Sequence, residues 1–281
     1  MSNILKVTFQ GERGAYSELA ALQYFNTSNI LLLPRRTLAD VFYSVEINDT
    51  HYAVVPIENS IEGSVNETYD LLMHTNLNIC GEIYLRIVHC LIGYDDSSIE
   101  DIKYVYSHPQ ALGQCREFIK QHGFEPIPYY DTAGSVKMLK EKRIERSAAI
   151  ASKLAAEVYG MKIIFEGIED SKNNYTRFIV LTRNYSSKAT GNDKTSIIFI
   201  ARHVAGSLYS VLEEFAVRGI NLTMIVSRPL KDRPWEYSFY LDFEGHILDK
   251  NVRECLDMIK DKVVFLKVLG SYPKASMNNL K

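Results

Sequence analysis

A short apolar run that ends in small or polar residues and hands over to a helical pattern recurs along roughly the first two thirds of this 281-residue chain. Val7-Thr8-Phe9 leads through Gly11 and Gly14 to Tyr16, Leu19, Ala20, Leu22 and Phe25 at helical spacing. The run 52–57 ends in Glu58-Asn59-Ser60, 105–107 in His108-Pro109, 129–130 in Asp131 and 148–151 in Ser152, each ahead of another helical stretch. Runs this short read as strands, and strands alternating with helices predict parallel α/β units. Each hand-over leaves the N–H groups of a helix start unpaired, and open α/β sheets bind ligands at the carboxyl ends of their strands. An anion suits such positions.

A chain of this length exceeds the usual single core, so two domains, or two lobes plus a small domain, are expected. Hydrophobic residues make up 46% and charged residues 23%, which fits a globular protein and excludes a disordered one. With 32 basic against 34 acidic residues, net charge -2, there is no electrostatic footprint for nucleic acid or an anionic membrane. Any anion site must therefore be local. No apolar run approaches the ~20 residues of a membrane span, and the run 4–9 enters directly as a strand where a leader would be basic and then apolar. A cytoplasmic protein is expected. Cys80, Cys90, Cys115 and Cys255 lack CxxC spacing and read as buried free thiols, and the seven histidines show no metal-binding spacing.

The pattern changes after residue 183. The polar segment 184–193, with Ser186, Ser187, Gly191 and Asn192, reads as a linker. Beyond it come a strand (195–201), a helix opened by Gly206-Ser207-Leu208, strands at 220–226 and 237–243, a helix (252–259) and a last strand (263–269). That order predicts a ferredoxin-like βαββαβ module over 194–275. Just before the linker, Asn174-Tyr175-Thr176-Arg177-Phe178 places an amide, a hydroxyl and a guanidinium in one strand. Alternation puts Asn174, Thr176 and Phe178 on one face and Tyr175 and Arg177 on the other. Thr and a single Arg are also ordinary strand residues, so a structural reading stands beside the chemical one. Asn59 and Ser60 are equally site candidates or a turn closed by Gly63, with Ser64 capping the next helix. Ser107 or His108 caps the helix behind Pro109. The Gly11/Gly14 turn lacks GxGxxG and GK[ST], which rejects nucleotide binding.

Taken together, Gly11-x-x-Gly14-Ala15-Tyr16-Ser17, Val55-Pro56-Ile57-Glu58-Asn59-Ser60-x-x-Gly63, Ser107-His108-Pro109-Gln110-Ala111-Leu112, Asp131-Thr132-Ala133 and Asn174-x-Thr176-Arg177-Phe178 resemble the prephenate dehydratase family. The C-terminal module resembles its ACT regulatory domain. The resemblance spans almost the whole chain, and its motifs in this order are highly specific. It implies a catalytic region at 1–183 of two lobes, similar to periplasmic solute-binding proteins, with the ligand in the cleft between them. Residues 1–82 would form one lobe, and the strand at Thr176 would return towards it. The implied reaction turns prephenate into phenylpyruvate with loss of carbon dioxide and water, without metal or redox cofactor because forming the aromatic ring drives it. Thr176 would donate the proton, Arg177 would grip a carboxylate as a bidentate fork, and Phe178 would exclude water. Gly14, Ala15, Tyr16, Ser17, Asn59, Ser60, Ser107, His108, Gln110, Thr132 and Asn174 would bind substrate.

Gly206, Ser207, Leu208, Asn221, Leu222, Thr223, Ser227 and Arg228 resemble phenylalanine-binding elements at a subunit interface. Feedback inhibition of a homodimer or homotetramer is implied. The family commonly has Glu before Ser-Arg-Pro; Val226 stands there instead and removes a partner charge from the effector. An arogenate dehydratase would share every motif. A non-catalytic amino-acid sensor would have no need of Thr176 and Arg177.

Overall fold

The computed structural model describes residues 4–276; the first three residues of the expected catalytic region lie outside them. The first lobe opens with β1 (Leu5–Gln10), α1 (Tyr16–Phe25), β2 (Ile30–Arg35), α2 (Leu38–Glu46), β3 (Tyr52–Asn59), the two-residue β4 (Gly63–Ser64), α3 (Asn66–His74) and β5 (Asn78–Arg86). The second holds β6 (Cys90–Gly93), β7 (Tyr104–Ser107), α4 (Pro109–Gln114), α5 (Arg116–Gln121), β8 (Glu125–Pro128), α6 (Thr132–Lys142), β9 (Ser147–Ala151), α7 (Lys153–Tyr159) and β10 (Lys162–Glu166). The chain then returns as β11 (Tyr175–Thr182) to the centre of the first sheet, whose order is β2-β1-β3-β11-β5 with β4 on β3.

The expected parallel units are present only in part. β1 runs parallel to β2 and β3, and β7 to β8 and β9. β11 is antiparallel to both neighbours, as β6 is to β9 and β10. The reason is the route of the chain. A strand that arrives across the gap between lobes has no helical crossover to turn it parallel. Two such crossings exist, 87–89 and 167–174, and they lie side by side through Ile87 N–H donating to the Asn174 carbonyl at 2.8 Å.

Opposite these crossings the lobes touch again. Ser152 Oγ donates to the Gly14 carbonyl at 2.6 Å, and a Cβ on Gly14 would stand 2.5 Å from the Ala155 backbone, so only glycine allows this approach. Glu12 of the first lobe accepts from Tyr130 Oη and Lys137 Nζ of the second, each at 2.9 Å.

Three helix starts follow residues the sequence singled out: His108, Asp131 and Ser152 each accept from an N–H of the following turn, as Thr37 does at α2. Ser64 does not cap α3. It is taken into β4, and Val65 holds the cap position without a side-chain bond.

The third unit comprises β12 (Asp193–Ala201), α8 (Ser207–Ala216), β13 (Leu222–Pro229), β14 (Tyr237–Glu244), α9 (Lys250–Lys260) and β15 (Val263–Pro273). Its antiparallel sheet has the order β13-β14-β12-β15, and its helices cover one face over Phe199, Phe215, Leu241 and Phe243. The other face lies on the first lobe. Ile198, Tyr240, Leu269 and Tyr272 join Tyr69, Leu72, Ile79 and Ile179 in one continuous apolar core. No helix among the described residues is long and apolar enough to cross a membrane, and all four cysteines are buried and unpaired.

Candidate active site

Between the lobes, at the inner side of the two crossings, lies a cavity of about 240 Å³. Its wall from the first lobe carries Gln10, Tyr16, Ser17, Asn59, Thr176 and Phe178; the second lobe supplies His108, Gln110, Gln114 and Thr132, and His89 comes from the first crossing. Among the described residues, no Asp, Glu, Lys or Arg lines it. An anion held here is held by hydroxyls, amides, imidazoles and the helix starts of α1 and α6, which reach the cavity at Ser17 and Thr132.

The sequence pattern explains the first wall. β11 alternates, so Thr176 and Phe178 face the cavity while Arg177 points through the sheet to the other side. There Arg177 Nε lies 2.8 Å from Glu82 Oε2, Nη1 2.6 Å from Asp242 Oδ2, and Nη2 donates to Tyr272 Oη at 3.1 Å. Lys194 Nζ completes the cluster at 2.8 Å from Glu82. This corrects one expectation. Arg177 is no carboxylate fork in the cleft, because its guanidinium is committed to two buried carboxylates in the seam with the third unit.

Thr176 is set by amides. The N–H groups of Ile61 and Glu62 both donate to Asn59 Oδ1 at 2.9 Å, which turns Asn59 Nδ2 towards Asn174 Oδ1 (2.8 Å) and Thr176 Oγ1 (3.0 Å). Thr176 Oγ1 is thus an acceptor in this bond, and its own proton has no acceptor among the described residues. Asn174, fully buried, donates to Gln114 Oε1 at 2.8 Å. Gln114 in turn meets His89 Nε2 at 3.0 Å, and His89 Nδ1 meets Tyr16 Oη at 2.8 Å. His108 accepts from Gln110 N–H through Nδ1 as the cap of α4, leaving Nε2 as its remaining group, and burial pushes its pKa below the ordinary histidine value. Burial also raises the Asp131 carboxyl at the start of α6.

Of the residues singled out in the sequence, Tyr16, Ser17, Asn59, His108, Gln110, Thr132, Thr176 and Phe178 line one cavity. Asn174 stands behind it as a relay, and Gly14 and Ala15 shape the turn before α1. Two expected substrate ligands are structural here. Ser60 Oγ binds the Asn173 carbonyl at 2.8 Å, outside the cavity, and the buried Ser107 Oγ donates to the Ile150 carbonyl at 2.6 Å. His89 and Gln114 were missed. The signals were a lone polar residue inside the apolar run 87–92, which must find a partner when buried, and a second Gln one helical turn after Gln110.

In the third unit a cavity of about 270 Å³ takes Ser207 and Leu208 together with Arg202, His203, Tyr237 and Phe239. Asn221, Leu222 and Thr223 lie at the far end of β14 from it, since Leu222 pairs with Phe243 while Arg228 pairs with Ser238. Arg228 does not join that cavity either: it bonds Asp70 of α3 at 3.0 and 3.3 Å. Gly206 precedes α8, Ser227 is exposed on β13, and Val226 packs into the core shared with the first lobe.

A cleft between two α/β lobes, carrying an oriented hydroxyl and joined to a βαββαβ module, defines a class of small-molecule enzyme with an attached accessory domain. The family model for prephenate dehydratase matches residues 7–186, and the chain belongs to that family. It is 44% identical over 266 residues to the prephenate dehydratase of Methanocaldococcus jannaschii, covering 93% of this chain and 95% of that one. Among solved structures it is similar to GqqA, described as a novel type of quorum quenching acylase (TM-score 0.90, 32% identity, 97% of this chain and 99% of that one). It is equally similar to prephenate dehydratase from Arthrobacter aurescens in complex with L-Phe (TM-score 0.89, 31% identity, 96% and 90%).

Proposed function

We propose that the cleft converts prephenate to phenylpyruvate. The bond from the ring to its carboxylate breaks, its electron pair enters the ring, and the ring hydroxyl departs as water with uptake of one proton; carbon dioxide is the other product. The observation that carries the reading is Thr176, whose Oγ1 accepts from Asn59 and whose proton is left for the cleft. A neutral threonine is a feeble acid, so it acts as a preorganised donor whose hydrogen bond strengthens as negative charge grows on the leaving oxygen. The substrate's carboxylates find the helix starts at Ser17 and Thr132 and the His108 side chain, with no cation to over-stabilise the one that must leave. Phe178, Val65 and Ile87 keep that side dry.

Phenylpyruvate formation from prephenate, with arogenate run in parallel, tests this. Thr176→Ala is expected to lower kcat by about 10²-fold. A mutant at the wild-type rate removes Thr176 from the mechanism, and turnover of arogenate alone keeps the chemistry and changes the substrate. Acyl hydrolysis, the activity named for one structural neighbour, has less support. A hydroxyl nucleophile needs an adjacent base, and the partner of Thr176 is an amide.

We also infer that the third unit is an ACT domain that takes phenylalanine as an inhibitor. What supports this is the placement of its motif in two halves. Gly206-Ser207-Leu208 and Asn221-Leu222-Thr223 lie at opposite ends of the sheet, so they meet only between copies, which fits a homodimer or a homotetramer built from it. Inhibition of turnover by phenylalanine, lost in Ser207→Trp, is the corresponding assay.

A further inference from the structure

The hydrogen bonds behind the cleft run in one direction only. Asn59 Oδ1 is fixed as acceptor by two backbone N–H groups, so Asn59 Nδ2 is the donor to Asn174 Oδ1. Asn174 Oδ1 being an acceptor, its Nδ2 donates to Gln114 Oε1. Gln114 Oε1 being an acceptor, the atom 3.0 Å away, His89 Nε2, carries a proton. Burial lowers the pKa of the imidazole and favours its neutral form, so Nδ1 is bare, and the single proton of Tyr16 Oη is directed behind the wall, between His89 Nδ1 at 2.8 Å and the Val88 carbonyl at 2.9 Å.

Two of the hydroxyls that line the cleft therefore differ in kind. Thr176 receives a hydrogen bond and has a proton to give; Tyr16 has its proton engaged behind the wall and offers lone pairs.

We propose that His89, as the Nε2–H tautomer, is a positioning residue that terminates this chain and thereby holds Thr176 as a donor to the substrate while Tyr16 offers lone pairs. The inference rests on the reading of Thr176 as donor and extends it to a residue that does not touch Thr176. His89 and Asn174 sit on the two crossings between lobes, and Gln114 of the second lobe bridges them. The chain is therefore closed only when both crossings and α4 are in register, which ties the orientation of the Thr176 hydroxyl to the relative placement of the lobes. Without the His89 N–H, the direction of the chain is still set at Asn59, but Gln114 Oε1 keeps only Asn174 as a donor, so the Gln114 and Asn174 side chains are held less tightly and Asn59 is left with a looser acceptor beside Thr176.

Two readouts on the full-length protein test this. The first is ¹⁵N NMR of protein labelled at its histidines at pH 7, with His89 assigned by the resonance missing in His89→Gln. The expected result is a neutral ring protonated at Nε2, and a ring protonated at Nδ1 alone overturns the proposal, whatever the substrate proves to be. The second is kinetic. His89→Leu is expected to lower kcat for prephenate about tenfold with little change in KM, because it disturbs the alignment of a donor and leaves the binding surface. His89→Gln, whose amide N–H reproduces Nε2–H, is expected to recover most of that loss. Equal kcat in folded His89→Leu, or no recovery in His89→Gln, rejects the role. If Thr176→Ala retains full activity the donor reading fails by itself, while the tautomer measurement still decides the direction of the chain.

Discussion

Thr176 and Arg177 are neighbours in sequence and occupy different worlds in the fold. One presents a hydroxyl to a cavity without fixed charge, and the other sits in a buried ion cluster on the reverse of the same sheet. The residue scale also predicts a pH effect. Burial depresses the pKa of His108, so as pH falls through about 6.5 the unfolded chain takes up the proton before the folded one does. More protons bound by the unfolded state means stability that is present above that pH and lost progressively below it. His108→Asn keeps a cap acceptor for Gln110 N–H and cannot titrate. The drop in Tm between pH 7 and pH 5.5 is therefore expected to be smaller in the variant than in the wild type, by calorimetry at matched salt. Equal drops mean that His108 is not held neutral by the fold.

At the scale of elements, β11 joins two sheets of chemistry. It lies between β3 and β5 in the first lobe, and its outward Arg177 reaches Asp242 on β14 and Tyr272 on β15. Arg177→Met leaves Glu82 with Lys194 and the Ala275 N–H, and leaves Asp242 with the Ser196 hydroxyl but without its cation. Breaking a buried pair from one side costs about 3–5 kcal/mol. Urea unfolding is expected to show a loss of that size, and a loss below about 1 kcal/mol would show that the cluster relaxes without strain. The alternation that separates Thr176 from Arg177 was legible in the sequence, as were the strand itself, the caps at His108, Asp131 and Ser152 and the βαββαβ order, because each follows from local spacing. The partners of Arg177 were not. Glu82, Lys194 and Asp242 come from β5, β12 and β14, and only the docking of the third unit brings them together. The same holds for His89 and Gln114, which become neighbours when the chain crosses between lobes twice. Ser107, read from its motif as a ligand, bonds instead to the Ile150 carbonyl of β9, a partner that only sheet order supplies.

In the whole molecule, the third unit is docked by backbone as much as by side chains. β15 runs along β5 so closely that a Cβ on Gly270 would stand 2.1 Å from the Ile79 carbonyl oxygen, and Ile79 is a strand residue with nowhere to withdraw. Around this contact lie Lys267, bonded to the carbonyls of Leu72 and Thr75 at the end of α3, and Tyr240 Oη, bonded to the Tyr69 carbonyl at 2.5 Å. All of these reach elements that also frame the cleft: α3 follows Val65, and β5 pairs with β11 along Thr176. A ligand that favours one arrangement of the third unit can therefore shift the cleft only by its difference in affinity between arrangements, carried across this seam. Gly270→Ala forces β15 away from β5 and is expected to lower stability by about 1–3 kcal/mol, the usual cost of overpacking. Its second effect distinguishes a coupling seam from mere glue. Prephenate turnover at saturating substrate should persist while inhibition by phenylalanine weakens, measured at a temperature where the variant is fully folded. A variant that is destabilised yet inhibited as strongly as the wild type would place the transmission elsewhere, for instance through Arg228 and Asp70 on α3, a further polar bridge between the third unit and the first lobe.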